Sequence, residues 1–231
     1  MLTLIPILKS VVPRRQDIWI YLLTFIPCAA LLFIAGFQSA VPIEYLTKDP
    51  LVVAKLTEGD CCAVYFGLFS NIGILLWCGT AAICLFSALL TLSQNGCWKG
   101  ASPLIAAGLF TTWLMLDDMF LVHEKLLPEL GVAEQVTYVF YACLAIMYFV
   151  AAWRTIIKHR ASLLLISLFF LGTSVVIDSI LHSESDLHVL VEDGAKILGI
   201  AAWAAFHVDM AFGSLGPSSF RVKGNGRAFP R

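Results

Sequence analysis

Long apolar runs separated by short charged segments dominate the pattern along the chain. The stretch Ile18–Phe37 has 20 residues and no charged side chain, which is enough to cross a hydrocarbon core of about 30 Å as an α-helix. No charged residue occurs between Asp60 and Lys99 either. That region predicts one long tilted helix, since it is too short for two spans and a turn. The pattern therefore predicts alternating membrane spans and loops.

Applied to the whole chain, the same reasoning predicts an all-α integral membrane bundle of six transmembrane helices. The predicted spans cover about residues 18–37, 62–92, 102–123, 135–153, 161–181 and 189–212 of one domain, 1–212. Composition agrees, because a chain with 59% hydrophobic and 13% charged residues is too apolar for one soluble core. Residues 213–231 are basic and rich in Gly, Pro and Ser, which predicts a disordered cytoplasmic tail beside an anionic leaflet.

Basic residues indicate the orientation of these spans. Eleven of the fifteen Lys and Arg lie before the first predicted span, between the second and third, between the fourth and fifth, or after the sixth. Because such residues favour the cytoplasmic side, we expect both termini there and residues 38–60 outside. Arg14 and Arg15 would also fit a cleaved signal peptide, but the following run is long for one. We predict a multi-pass protein of the bacterial inner membrane.

Ionisable side chains interrupt the third predicted span. Residues 113–124 read WLMLDDMFLVHE, with Asp117 and Asp118 in an apolar stretch and His123 and Glu124 after them. On a continuous helix Asp117 lies about 10 Å deeper than Glu124 and shares its face, while Asp118 and His123 project elsewhere. An ionised carboxylate at such depth must be paired, hydrated or bound to a cation. Its position makes this cluster a functional candidate.

Two later spans carry polar stripes in which residues follow at intervals of four. The stripes are Ser174, Asp178 and His182 in the fifth span, and His188, Glu192 and Lys196 in the sixth, where Asp193 adjoins them. Residues four apart share one face of a helix. Three helices are therefore expected to bring carboxylates and imidazoles to about the same depth.

A mixed set of carboxylates and imidazoles suits zinc, iron or manganese when it projects from neighbouring helices of a bundle. The predicted metal ligands are His123, Asp178, His182 and Glu192. Asp118 or Glu124 would orient or deprotonate a metal-bound water as the catalytic residue. The alternative is a buried network of ion pairs in which Lys196 neutralises a carboxylate. No HExxH, paired ExxH or CxxC motif is present, so both interpretations stay open.

Two resemblances bear on this cluster. The pairing of LDDMFLVHEKLLPELG (116–131) with VEDGAKILGIAAW (191–203) resembles multi-pass bacterial membrane proteins that are uncharacterised. The residue types also resemble the alkaline ceramidase and adiponectin-receptor superfamily, seven-helix membrane hydrolases in which Ser, Asp and three His surround a zinc-bound water. The matching residues here are Ser174, Asp178, His182, His123 and His188. This second resemblance implies a metal-dependent hydrolase.

Three hypotheses for function follow. The first is a metal-dependent membrane enzyme that hydrolyses a lipid amide or ester. The second is a cation- or proton-coupled transport or sensor protein whose intramembrane carboxylates titrate or bind a cation, with Lys196 as counterion. The third is a non-catalytic subunit of a membrane complex. Membrane lipids are the expected partners, as surroundings or as substrate, and no signature for binding nucleotides, nucleic acid or haem is present.

Overall fold

The computed structural model describes residues 17–57, 63–96, 98–180 and 185–215 of the chain. All regular structure within these ranges is helical, as the sequence predicts. The helices are α1 (Ile18–Phe37), α2 (Ile43–Thr47), α3 (Pro50–Leu56), α4 (Leu68–Asn95), α5 (Trp98–Phe120), α6 (Leu127–Glu129), α7 (Glu134–Ile156), α8 (Ala161–Ile180) and α9 (Asp186–Ser214), and a π-helical turn (Val122–Leu126) joins α5 to α6.

Five of the described helices, namely α1, α4, α7, α8 and α9, are long and apolar enough to cross a membrane. Helix α5 qualifies together with the segment after it, Val122–Glu129, from which it is bent by 60°. Counting this bent pair as one span gives six. Large apolar side chains such as Leu23 and Phe37 of α1 are 75% and 78% exposed, as expected of a surface that faces lipid.

Helix α4 begins later than predicted, because the residues directly before it form a turn and not part of the helix. Helix α4 begins at Leu68, after Gly67 with φ of 65°, and not near residue 62. The short helices α2 and α3 before it were not predicted. Helix α3 has a recognisable start, since Pro50 is its first residue and the Asp49 carboxylate accepts a hydrogen bond from the Leu51 amide at 2.8 Å.

Helix α9 extends beyond the predicted span 189–212 at both ends. The Ser185 hydroxyl accepts a hydrogen bond from the His188 amide at 3.3 Å and so caps the first turn. At the other end the helix continues to Ser214. The prediction of a disordered tail is wrong for residues 213 and 214, which are helical. The rest of that prediction, for residues 216–231, lies outside the described ranges.

One end of the bundle is closed by an ion-pair cluster of Asp17, Arg160 and Asp209, which we call the clasp. The Arg160 guanidinium donates to Asp17 at 2.8 Å and also to Asp209. The hydrogen bond to Asp17 raises the pKa of Arg160 above its ordinary range. Because Asp17 precedes α1, Arg160 precedes α8 and Asp209 lies near the end of α9, these three points share one end of the bundle. We call the opposite end, with α2 and α3, the cavity end.

Helix α9 is the central helix and packs against α8, α4 and α1. Its contact with α8 is close because Gly199 has no side chain: a Cβ there would lie 2.9 Å from the Leu171 backbone nitrogen. Helix α5 packs against α4 in the same way, with Gly108 against Leu85. By contrast, the backbones of the consecutive helices α7 and α8 lie more than 8 Å apart over almost all of their length.

An aromatic cluster fills the core towards the clasp. His207 is fully buried, with Nδ1 2.8 Å from the Trp203 carbonyl oxygen and Nε2 2.8 Å from the Tyr148 hydroxyl. Since a carbonyl oxygen only accepts, His207 carries a proton on Nδ1 and its Nε2 accepts from Tyr148 when the ring is neutral. Both ring nitrogens are thereby satisfied inside the core, and α7 is tied to α9.

Candidate functional site

The helix that carries Asp117 and Asp118 breaks directly after them. Leu121 adopts a left-handed φ of 50°, which costs roughly 1–2 kcal/mol for a residue with a side chain. A π-helical turn follows over Val122–Leu126, and such turns are frequent at functional sites. Leu121 lines a cavity at this end of the bundle, so the strained backbone forms part of the cavity wall.

Asp117 binds the segment that follows the break. Its carboxylate is buried and accepts hydrogen bonds from the His123 amide at 3.0 Å and from His123 Nδ1 at 2.7 Å. The expectation that His123 projects away from Asp117 is wrong, because α5 ends at Phe120 and the bend returns His123 over Asp117. The buried Asp117 carboxylate thus finds its hydrogen-bond donors in the first residues of the π-helical turn.

His123 is held with one ring nitrogen towards the cavity. Its Nδ1 is bonded to Asp117, and its Nε2 lies 3.9 Å from the nearer carboxylate oxygen of Glu124. A carboxylate on one imidazole nitrogen fixes the ring and makes the other nitrogen a better base or ligand. His123 Nε2 therefore lies beside Glu124, and both residues line the cavity.

Asp118 links three helices through two strong contacts. One carboxylate oxygen lies 2.8 Å from Lys196 Nζ in α9, and the other accepts a hydrogen bond of 2.8 Å from the Trp77 indole in α4. Only 13% of the Asp118 side chain is exposed. The ion pair with Lys196 is the charge compensation that a carboxylate at this depth requires.

Further carboxylates from α8 and α9 face the same region. Glu192 lies 3.7 Å from His188 Nε2, and Asp193 lies close to Thr47 of α2. No hydrogen bond or ion pair joins Asp178 to another described residue. Asp178 and Asp193 are both near enough to Glu192 for electrostatic repulsion. Lys48 and Lys196 are near enough to attract Glu192 and Asp193, but no lysine or arginine among the described residues forms an ion pair with any of these three carboxylates.

All these side chains except His188 line one cavity of about 750 Å³ at the cavity end. The cavity is surrounded by helices α4, α5, α7, α8 and α9 and by the π-helical turn that contains His123. The α2–α3 region contributes further residues. The carboxylates that line it are Asp49, Asp117, Asp118, Glu124, Asp178, Glu192 and Asp193. The cationic side chains are Lys48 and Lys196, with His123 as a third when protonated. Negative charge is thus in clear excess.

The structure brings together most of the residues singled out from the sequence. Those that line the cavity are Asp117, Asp118, His123, Glu124, Ser174, Asp178, Glu192, Asp193 and Lys196. His188 reaches the site only through Glu192. His182 lies outside the described residues.

The predicted metal site finds no support in this geometry. Among the described residues, no group of three or more His, Cys, Asp or Glu side chains is placed to share a metal ion. His123 is directed to Asp117, and Lys196 occupies the position beside Asp118 where a cation would otherwise bind. A site that uses His182 stays a prediction, because that residue is outside the described ranges.

Sequence reasoning missed two aromatic residues of the cavity wall, Trp77 and Tyr141. Trp77 binds Asp118, while the Tyr141 hydroxyl is buried beside Asp117 without a well-formed hydrogen bond to any described residue. The indole nitrogen of Trp113, adjacent to Tyr141, is likewise buried without a well-formed hydrogen bond to any described residue. A Trp or Tyr far inside a span needs a hydrogen-bond partner for its polar atom. That requirement could have identified both residues as members of a polar site.

Residues 21–210 match one family model, described as a domain of unknown function (DUF8692). The chain belongs to this family. Every residue that lines the cavity falls within the DUF8692 match, so the cavity is built entirely from the family's domain. No curated protein and no solved structure matches the chain significantly. The match agrees with the resemblance to uncharacterised membrane proteins and says nothing about the ceramidase superfamily.

Proposed function

We propose that this protein binds a cation in the cavity and uses it for transport or sensing at the membrane. The excess of negative charge carries the proposal: seven carboxylates and two lysines line the cavity. One of those lysines, Lys196, is already paired with Asp118. Uncompensated carboxylates are costly away from bulk water, and a bound cation removes that cost.

The group of Asp178, Glu192 and Asp193 is the proposed cation site. Its ligand is an organic cation, because among the described residues no three carboxylates are placed to share a metal ion. These residues project from α8 and α9 towards one cavity, and the repulsion among them is relieved when a positive charge lies between them. Lys196 is one turn of helix from Glu192 but is directed to Asp118. Its ion pair is therefore with the α5 carboxylate, while its charge also attracts Glu192 and Asp193 without forming an ion pair with either.

The Asp117–His123 pair supports proton coupling in the same protein. Histidine changes its charge near neutral pH, and the carboxylate on Nδ1 leaves Nε2 for the exchange. A hydrolase would further need a nucleophile or a metal-bound water, and the described residues supply no metal cluster. The hydrolase reading of the sequence therefore stays an untested prediction, and cation binding is the function we favour.

Thermal unfolding of the purified protein in nanodiscs tests the proposal. Sodium, calcium and methylammonium chlorides are compared at equal ionic strength. We expect methylammonium to stabilise by about 2.7 kcal/mol at 100 times its Kd and the two metal ions to give no such increase, because no described group of carboxylates is placed to share a metal ion. Asp178→Asn and Glu192→Gln should each remove that stabilisation. Glu129→Gln, an exposed acidic residue outside the cavity, is the matched control and should keep it. Equal melting temperatures in all three salts would refute cation binding.

We further propose that the cavity end faces outward and the clasp end faces the cytoplasm. The basis is the concentration of Lys and Arg in the segments at the clasp end. In a cysteine-free background, a membrane-impermeant thiol reagent should label Glu129→Cys in intact cells and leave Lys158→Cys unlabelled until the cells are opened. Labelling at Lys158→Cys alone would reverse the orientation.

A further inference from the structure

The cavity lies between two consecutive helices that do not pack against each other. Helix α7 packs on α5 and helix α8 on α9, while the α7 and α8 backbones stay more than 8 Å apart along almost their whole length. Packed helices have axes about 8–10 Å apart and approach more closely than this at their contact points. A gap therefore separates α7 from α8.

The gap between α7 and α8 is filled by side chains at the clasp end and opens into the cavity at the cavity end. Towards the clasp, Tyr148 of α7 and Leu163 and Leu164 of α8 belong to the same buried core. Towards the cavity end, Tyr141 of α7 and Val175 of α8 line the cavity. The space between the two helices is therefore continuous with the cavity only in that half of the bundle.

Val175 marks the place where the cavity meets the lipid-facing surface. It lines the cavity, yet 57% of its surface is exposed. Its neighbour Val176 is similarly exposed, at 52%, and does not line the cavity. The α7 residues Val139 and Phe140 are exposed as well. An apolar mouth thus leads sideways from the charged cavity towards the bilayer.

We propose that the ligand is an amphiphilic cation, with an amine headgroup among Asp178, Glu192 and Asp193 and an alkyl chain that leaves between α7 and α8. This inference rests on the proposed function, because it requires a cation site in the cavity. A cavity of about 750 Å³ with an apolar side exit is larger than a small inorganic cation needs. A zwitterionic phospholipid fits less well, since its phosphate would enter a cavity that already has seven carboxylates.

Photo-crosslinking in nanodiscs tests the inference. The probe is dodecylamine with a diazirine in its alkyl chain, and labelled peptides are mapped by mass spectrometry. We expect the label within residues 137–147 of α7 and 168–178 of α8, and we expect excess methylammonium chloride to reduce it at least fivefold. A phosphatidylethanolamine probe with the same photoreactive group should label these segments weakly.

Two valines provide a matched pair of variants. Val175→Trp fills the mouth and should lower the dodecylamine label at least fivefold, while methylammonium still stabilises the protein. Val176→Trp places the same bulk on the adjacent lipid-facing position and should leave the label unchanged. Melting temperatures of both variants without ligand show that each is folded; if Val175→Trp is not, Val175→Phe replaces it.

The possible outcomes separate this inference from the proposed function. Label spread evenly over the lipid-facing helices, or unaffected by filling the mouth, would overturn the amphiphile while leaving cation binding intact. Equal labelling by the phosphatidylethanolamine probe would overturn the assignment to a net cation. Absence of stabilisation by every cation would remove the proposed function and, with it, this inference.

Discussion

Replacing Lys196 by methionine is expected to destabilise the protein by about 2 kcal/mol, because it leaves the Asp118 carboxylate, whose side chain is only 13% exposed, without its cationic partner. The cost is below that of a fully buried pair, since 39% of the Lys196 side chain is exposed and solvent screens the interaction. The stranded group is Asp118, which would keep only the hydrogen bond from the Trp77 indole. Methionine retains most of the length and apolar stem of lysine, so packing changes little. The measurement is the free energy of unfolding in nanodiscs or mixed micelles, with Lys55→Met, an exposed lysine outside the cavity, as control.

The reciprocal variant, Asp118→Asn, should cost less than Lys196→Met. Its stranded group is the Lys196 ammonium, which still has Glu124 and Asp193 nearby. The double variant removes both charges and should recover most of the lost stability, giving a coupling energy of about 1 kcal/mol for this partly exposed pair. Costs that simply add in the double variant would show that the two side chains do not form the pair.

Five of the six predicted spans, and most of their limits, were predictable because the bilayer imposes a simple requirement. An uncharged run of 20 residues such as Ile18–Phe37 has no other low-energy state in lipid than a helix. Helix α8, predicted as 161–181, begins at Ala161 and is helical through Ile180, the last residue of that described range. Apolar length sets these limits, and no tertiary contact is needed to find them.

The end of α5 was not predictable from periodicity. The reasoning on shared faces assumed a continuous helix through His123, but the chain turns at Leu121, and leucine gives none of the signals that Gly, Asn or Pro would give. What holds the turn is tertiary: Asp117 binds the His123 amide and ring. Asp117, which the sequence singled out as a deep carboxylate of the polar cluster, is therefore in part a cap for the amide at the start of the π-helical turn.

The sequence also predicted an ion-pair network as the alternative, but it did not identify Asp118 as the partner of Lys196. Spacing placed Lys196 on one stripe with Glu192, whereas the ammonium is bound to Asp118 of another helix. Helix–helix distances decide such pairs, and they depend on small residues. Glycines of α9 set how close α8 and α1 approach, which no single-helix pattern reports.

Gly199→Ala should accordingly destabilise the protein by about 2 kcal/mol, since the new Cβ would lie 2.9 Å from the Leu171 backbone nitrogen and 2.7 Å from its side chain. The Leu171 backbone cannot rotate away from the new Cβ as a side chain could, so helix α8 must move. Gly172→Ala, next to Leu171 on the same helix with open space around it, is the matched control and should be neutral or slightly stabilising. Both free energies of unfolding are measured under the conditions used for Lys196→Met.

The same substitution should also weaken cation binding, although Gly199 does not line the cavity. Helix α8 carries Asp178 about two turns from Leu171, and a displaced α8 moves that carboxylate away from Glu192 on α9. We therefore expect Gly199→Ala to reduce the cation-dependent rise in melting temperature, with Gly172→Ala unchanged. Full retention of that rise in a destabilised Gly199→Ala protein would mean that the α8–α9 spacing does not control the site.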